Sequence, residues 1–272
     1  MTAPFTIAAL SWASPATTAR CLASWRPLSG AEACGQRLIY FQERTEHDSR
    51  LARSHGFEPL GDANNIGIGP AYRAMLDQAI CPYLIFLECD WRLTHRDHAL
   101  SHVRAAINVI ASEQAALVRL RSRARPGWPV NPSQLQNKEL TYPYWLLDSA
   151  YWEPRPERIF PEQLRRTEHA GEDWILAPAR YAGWTNNPHV VGVEWLEKHV
   201  RPFMGGTGKA FEGLIDDYWK TLPIHVAQGR GLFTHTRIDG PGFYERPLRH
   251  RVGYPLRLRL RRRLRRFVNS GA

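Results

Sequence analysis

Glu88 and Asp90 close an apolar run, Tyr83-Leu84-Ile85-Phe86-Leu87, in the order Glu88-Cys89-Asp90-Trp91. Side chains alternate along a strand, so two carboxylates two positions apart project from one face and Cys89 turns to the other. Paired oxygen ligands at a strand end suit a hard divalent cation, Mg²⁺ or Mn²⁺, which can in turn hold phosphate oxygens. The rival reading is a buried strand that simply stops in a polar turn. The surrounding elements decide between the two.

The run itself reads as a strand buried on both faces, as in parallel sheets. Phe5 to Trp12 is a first strand. Ser14-Pro15 opens a helix through Trp25, with serine as cap and proline at the first position. Arg37 to Glu43 is a second strand ending in a carboxylate, and a polar helix follows from Glu46 to His55. Phe57 to Leu60 is a weak third strand. Asn64-Asn65-Ile66-Gly67-Ile68-Gly69-Pro70 then leads into a helix over 71–80, and Tyr83 to Leu87 is the fourth strand. Strands alternating with helices predict an α/β domain with a mixed, largely parallel sheet. Ligands of such sheets bind outside the C-terminal strand ends, where Ser11, Glu43, Asn65 and Glu88 fall.

Further on, 98–112 has helical spacing and 116–120 reads as a strand. Residues 121–137 are a polar, Pro-rich loop, of a length that is usually functional or mobile. Tyr142-Pro143-Tyr144-Trp145 reads as a pocket wall or as core packing, and 151–180 yields no clear pattern. Trp184-Thr185-Asn186-Asn187-Pro188 follows Gly183 as a turn dense in hydrogen-bonding groups. Helices are predicted over 192–200 and 209–220, and 227–235 reads as a last strand ending in His235.

Composition narrows the class. The 272 residues are 43% hydrophobic, enough for a sizeable core. No signal-peptide pattern and no membrane-spanning run is present. The four cysteines (21, 34, 81 and 89) form no CxxC pair and no zinc spacing, which predicts reduced thiols in a cytoplasmic protein. The net charge of +10 is concentrated: ten arginines and no acid follow Glu245, leaving 26 basic and 26 acidic residues before them. The basic character therefore belongs to a tail, 246–272, appended to a neutral domain, 1–245.

By Asp90 the order of parts resembles the GT-A fold glycosyltransferases, especially those akin to family 2. The parts are the strand Thr6 to Trp12, the strand ending at Glu43, the Asn-Asn-x-Gly-x-Gly stretch before a helix, and the strand ending Glu88-Cys89-Asp90. Leu-Glu-x-Asp-Trp is also similar to a bacterial and large-virus subgroup, with ExD in place of DxD. The resemblance covers 5–92 and recurs at Trp184 to Pro188, Phe211-Glu212 and Gly231 to Asp239. It implies a nucleotide-sugar donor and a metal on its diphosphate; joined to the basic tail described below, it would suit a glycan or lipid-linked acceptor in cell-envelope polysaccharide synthesis.

The same resemblance implies roles. Ser11 and Glu43 would meet the base and ribose, with Asn65 and Gly67 beside the nucleotide. Glu88 and Asp90 would hold the metal, joined by His235, since neutral imidazole is an acceptable ligand for Mn²⁺. Arg230 and Arg237 could neutralise the diphosphate leaving group. An inverting transfer needs a general base on the acceptor hydroxyl. Glu212, with Asp216 one turn later to orient it, is the favoured assignment; Glu172-Asp173 is the alternative. Trp184, Asn186 and Asn187 are the acceptor-side expectation, because a tryptophan face stacks on a sugar and amides bind its hydroxyls. Each has a plainer structural reading as a turn, core or solvated residue.

In the tail, Leu256, Leu260, Leu264, Phe267 and Val268 form one apolar stripe of a helix whose other faces carry arginine. Residues 255–268 thus predict peripheral attachment to an anionic membrane, at the cytoplasmic face, with nucleic acid as the rival partner. Two other functions stay open. One is a sugar-phosphate nucleotidyltransferase, although 13–18 lack its glycine-rich basic signature. The other is a non-catalytic binding protein with a degenerate transferase core.

Overall fold

The computed structural model describes residues 4–127, 143–150, 153–205 and 211–238. The expectations for the tail (246–272, including 255–268), for 128–137 of the Pro-rich loop, for Tyr142 and for the start of the 209–220 helix lie outside the described residues. The chain divides after Thr236, and only Arg237 and Ile238 of the second unit are described. The first unit carries every helix and strand of the described residues.

Its first half runs β1 (Phe5–Trp12), α1 (Pro15–Ser24), α2 (Arg26–Ser29), β2 (Cys34–Gln42), α3 (Glu46–Ser54), β3 (Glu58–Leu60), α4 (Ile68–Gln78) and β4 (Tyr83–Glu88). The second half runs β5 (Trp91–Leu93), α5 (Ala99–Ala111), β6 (Leu117–Arg121), α6 (Leu146–Ala150), α7 (Pro156–Ile159), β7 (Arg165–His169) and β8 (Glu172–Pro178). It ends with β9 (His189–Gly192), α8 (Val193–His199), α9 (Phe211–Thr221) and β10 (His225–His235). The strands form one sheet in the order β3-β2-β1-β4-β9-β6-β10-β8-β7, with β5 paired to β10. β3, β2, β1 and β4 are mutually parallel, as is β6 with β10; β9, β8, β7 and β5 pair antiparallel to their neighbours. The mixed, largely parallel α/β sheet expected from the sequence is present.

Alternation along the strands builds two cores. Phe5, Ile7, Ala9, Ile85, Leu87 and Cys89 face α1, α2 and α5, whereas Ala8, Leu10, Leu84 and Phe86 face α4, α6, α8 and α9. The fold is therefore a helix–sheet–helix sandwich. From β1 the chain steps outward to β2 and β3, then returns to β4 on the other side of β1. The crevice between the ends of β1 and β4 is thus a topological switch point, where open α/β sheets bind ligands.

Several expectations need correction. Ser14 makes no side-chain cap bond; α1 opens on Pro15, and Thr18 donates its hydroxyl to the Ser14 carbonyl. α3 instead has a full capping box, Thr45 with Asp48. α4 starts at Ile68 rather than 71, because Gly67 takes φ +86° ahead of it. β5, β7, β8 and β9 are additions to the elements that the sequence predicts. β5 and β9 have only three and four residues, too short for a period to show.

β10 carries a kink at Gly231, where φ is +69° and an added Cβ would lie 2.0 Å from the Arg121 carbonyl oxygen. Gly171 has φ +74° but open space around it. Gly231→Ala should cost upward of about 2 kcal/mol in urea unfolding, and Gly171→Ala about 1 kcal/mol, the backbone strain alone. Equal costs at the two sites would mean that the Arg121 contact does not hold the kink.

Candidate active site

The β4 ladder ends at Glu88, and Cys89-Asp90 form the turn into β5. Cys89 is buried on the α1 side, and burial pushes its thiol well up, as the alternation requires. Glu88 has the parity of Leu84 and Phe86 and faces the other layer. Asp90 is placed by the turn, not by the strand. Its carbonyl accepts from Thr236 N at 2.7 Å, and its Oδ2 lies 3.1 Å from His235 Nε2. The β5–β10 register sets His235 opposite Trp91, which explains how residues 145 positions apart meet. Asp90 Oδ1 is buried and makes no hydrogen bond among the described residues.

A carboxylate with one oxygen unsatisfied, beside an imidazole nitrogen, fits a divalent cation whose remaining ligands come from outside the protein. Among the described residues, no three of His, Cys, Asp and Glu are grouped to hold a metal alone. Asp90 and His235 are thus the fitting pair, and Glu88 is not gathered with them into a ready-made site.

At the neighbouring strand ends, Trp12 is half-exposed and donates Nε1 to Glu43 Oε2 at 3.3 Å. Glu43 sits at φ +56°, unusual for a side chain of its size, and is held by its N–H on the Asn64 carbonyl. Gln42 braces the following loop with both ends of its amide. It accepts from Ile66 N at 2.9 Å and donates to the Gly67 carbonyl at 2.8 Å. Asn65 Oδ1 accepts from Gly67 N, closing an Asx turn. Ser11 differs from its expected role. Its hydroxyl is buried, 2.8 Å from the Thr18 hydroxyl and against Cys89, so it joins β1 to α1.

A second group forms on the α4–α9 layer. β9 runs antiparallel to β4 with His189 opposite Phe86, so Trp184–Asn187 emerges at the end of β4 that carries Glu88. Asn186 N donates to Glu212 Oε1 at 2.9 Å. Asp216 Oδ1 accepts from the Tyr144 hydroxyl at 2.7 Å, and that hydroxyl accepts from Trp184 N at 3.0 Å. Desolvation pushes the Glu212 carboxyl above its usual range, against the Asn186 N–H; the charges of Asp216 and Asp148 add to the rise. Asp148 is itself paired with the buried Arg119.

Trp184 is a correction: its ring is 1% exposed and packs edge-on against His189, Phe211 and Trp219, so no face remains for a sugar. Asn186 is buried with its Oδ1 unpartnered among the described residues, and Asn187 is half-buried. Tyr144, Asp148, Arg119 and His189 belong to the group, although only Tyr144 stands out in the sequence.

Arg230 is also corrected. It pairs with Glu172 at 3.2 Å, on the opposite core, where Glu172 Oε2 lies 2.5 Å from His102 Nδ1 and His102 stacks on Trp174. That engagement takes Glu172 out of contention as a base, and Asp173 is exposed and paired with Arg166. Arg237 begins the second unit.

No protein-family model matches the chain, and no curated protein matches it. Many solved structures match its fold. Mannosyl-3-phosphoglycerate synthase from Rubrobacter xylanophilus is 16% identical, with a TM-score of 0.50, over 87% of this chain and 68% of that one. Glucosyl-3-phosphoglycerate synthase from Mycobacterium tuberculosis, in complex with phosphoglyceric acid, is 14% identical with a TM-score of 0.51, over 91% and 74%. GalNAc-T7 with UDP, GalNAc and Mn²⁺ is 10% identical with a TM-score of 0.54; the match covers 90% of this chain and less than half, 46%, of that one. The fold is that of GT-A type glycosyltransferases.

His189 is fully buried. Its Nδ1–H donates to the Asn187 carbonyl at 2.8 Å, so the bare Nε2 accepts from the Tyr72 hydroxyl at 3.1 Å. Burial lowers its pKa from 6.5 to about 4; the Asn187 carbonyl opposes that, and Arg119 adds to it. The unfolded chain therefore takes up this proton first as pH falls. Stability should be full above about pH 6.5, decline by up to ~1.4 kcal/mol per unit toward pH 4, and level off below. His189→Gln should flatten urea-unfolding stability across that window; an unchanged slope would assign the pH dependence to other groups.

Proposed function

We propose that this protein is a nucleotide-sugar-dependent glycosyltransferase, inverting, with Glu212 as the general base. One observation supports the reading: the C-terminal end of β4 leads into the Asp90–His235 pair, and the segment held by the Glu212 carboxyl, whose pKa is raised, enters β9 at that same end of β4. The neighbours support it by likeness of fold, and the complex of GalNAc-T7 with UDP, GalNAc and Mn²⁺ illustrates the donor and metal class.

In this reading Trp12 and Glu43 flank the base and ribose, and the Asn65–Gly67 turn lies against the nucleotide. Asp90 and His235 would hold Mn²⁺ or Mg²⁺, which would supply charge neutralisation to the diphosphate. Glu212, fixed through one oxygen by Asn186 N, uses the other to take the proton of an acceptor hydroxyl. That hydroxyl oxygen forms its bond to the anomeric carbon as the bond from carbon to the diphosphate oxygen breaks. The electron pair leaves with the nucleoside diphosphate. Asn186 and Asn187 border the acceptor, a glycan or a lipid-linked sugar.

No described helix is long and apolar enough to cross a membrane. Attachment of the enzyme to the inner face of a membrane through 255–268 rests on the sequence pattern. It predicts that replacing Arg261, Arg262, Arg263, Arg265 and Arg266 by glutamine abolishes pelleting with anionic vesicles while turnover in solution survives. Unchanged pelleting would remove the membrane reading.

The central test uses UDP, GDP and dTDP with and without Mn²⁺. Wild type should bind one of them in a metal-dependent way, and Asp90→Asn and His235→Ala should lose that dependence. Glu212→Gln should keep donor binding and lose ~10²- to 10⁴-fold in kcat. Because the base works only when deprotonated, wild-type kcat/KM should fall as pH drops through a value above the usual carboxylate range. Failure of the wild type to bind any of the three nucleotides would favour a non-catalytic binding protein.

A further inference from the structure

The geometry points to Tyr144 as a positioning residue for Glu212: its hydroxyl bridges Trp184 N and Asp216, holding α9 and the Ala182–Asn187 segment in one register. This inference rests on Glu212 being the base.

The bridge is built at both ends of one side chain. The Tyr144 hydroxyl donates to Asp216 Oδ1 at 2.7 Å and accepts from Trp184 N at 3.0 Å. Its backbone carbonyl accepts from Gly183 N at 2.8 Å. The ring lies so close over Gly183 that an added Cβ would sit 2.5 Å from it, and Lys220 Nζ caps the ring 4.5 Å from its centre. Burial and the neighbouring Asp216 raise the phenol's pKa well above its ordinary value, so the hydroxyl is a permanent donor.

Glu212 and Asp216 are four residues apart on α9, on one face of the helix. The segment is therefore tied to α9 at two heights: directly at Asn186 N–Glu212, and through the phenol at Trp184 N–Asp216. The Trp219 indole, donating to the Ala182 carbonyl at 2.8 Å, makes a third tie one turn further on. Without the hydroxyl, Trp184 N and Asp216 lose their shared partner together. The segment then keeps its ties at Asn186–Glu212 and Ala182–Trp219 but loses the one between them, which fixes the height of Asn186 against Glu212. The proposed donor site at β1, β2 and Asp90 is built from other residues, so the effect is expected in the chemical step and not in donor binding.

Tyr144→Phe keeps the ring, the Gly183 contact and the Lys220 contact. It should lower kcat by ~10- to 100-fold, the scale of a misplaced catalytic group, with KM for the donor within about twofold. Amide exchange at Trp184 and Asn186 should accelerate while the β1 and β4 amides keep their protection. In a Glu212→Gln background the same change should cost almost nothing further in kcat, because both act through one group. Wild-type kcat in Tyr144→Phe, unaltered exchange at the two amides, or a full additional loss in the Glu212→Gln background would each overturn the inference. If Glu212→Gln turns over like wild type, the base assignment fails and the positioning role fails with it. If Glu212→Gln is disabled and Tyr144→Phe is not, only the positioning role fails.

Discussion

A peptide segment that runs through a core without a ladder partner must have its N–H and C=O groups met by side chains or by other stretches of backbone, or bear the cost of burying them unpaired. Ala182–Asn187 is such a segment, and much of the second half of the fold is arranged to satisfy it. The Ala182 carbonyl takes the Trp219 indole, and the Gly183 carbonyl takes Arg119 at 2.5 Å. Gly183 N and Trp184 N go to Tyr144, Asn186 N to Glu212, and the Asn187 carbonyl to His189. These partners come from β6, β9, α9 and the turn before α6. One requirement, satisfaction of a buried backbone, thus brings together the acidic and aromatic groups of the candidate site. It also explains why the Trp184 ring is buried: it fills the space between those elements.

The other half of the site depends on sheet order. Parallel strands β1, β2 and β4 deliver their C-terminal ends to one edge, and the reversal of direction at β1 opens a crevice there. Antiparallel β9, inserted beside β4, brings the Ala182–Asn187 segment to that same edge. β5 and β10 then return His235 to Asp90. The sheet also separates functions. Glu212 lies in the α4–α9 layer, while Glu172 shares the α5 layer with His102 and Arg230, and the two acids work in different environments.

Sequence range decides which parts of the fold and site are legible in the sequence. β1, β2, β4 and their helices are long apolar or periodic runs, so local pattern suffices. The pairing of a strand-end carboxylate with a late histidine is expected from likeness to a known fold, and Asp90 and His235 do meet. The contacts that no local pattern reveals are those between elements far apart in sequence. Tyr144 to Asp216 spans 72 positions and His189 to Tyr72 spans 117, and neither leaves a local signature. Arg230 departs from its expected place for a related reason. The kink at Gly231 breaks the simple alternation of β10, and the sequence around Arg230 gives no sign of Glu172 on β8. Ser11 and Trp184 have side chains that suit ligands, which places them at the surface of the site by type alone, but burial has the prior claim on both.

The charge arrangement around Glu212 has a logic of its own. Three carboxylates, Asp148, Glu212 and Asp216, are neighbours, and their only full-charge partner among the described contacts is Arg119, which is committed to Asp148. Asp216 is satisfied by a neutral phenol instead. A lysine or arginine in place of Tyr144 would bind Asp216 more strongly, but its charge would also reach Glu212 and lower that carboxyl's affinity for a proton. A phenol supplies the hydrogen bond without the field. Burial raises the Glu212 pKa, and the phenol leaves the Asp216 charge to add to that rise, the direction that strengthens a carboxylate as a proton acceptor. The cost of holding like charges together is limited because each carboxylate has its own donor: Arg119, the Asn186 N–H and the Tyr144 hydroxyl. The donors that orient the acids are thus graded in charge, with the cation set on Asp148 and uncharged donors on Glu212, the proposed base, and on Asp216 beside it.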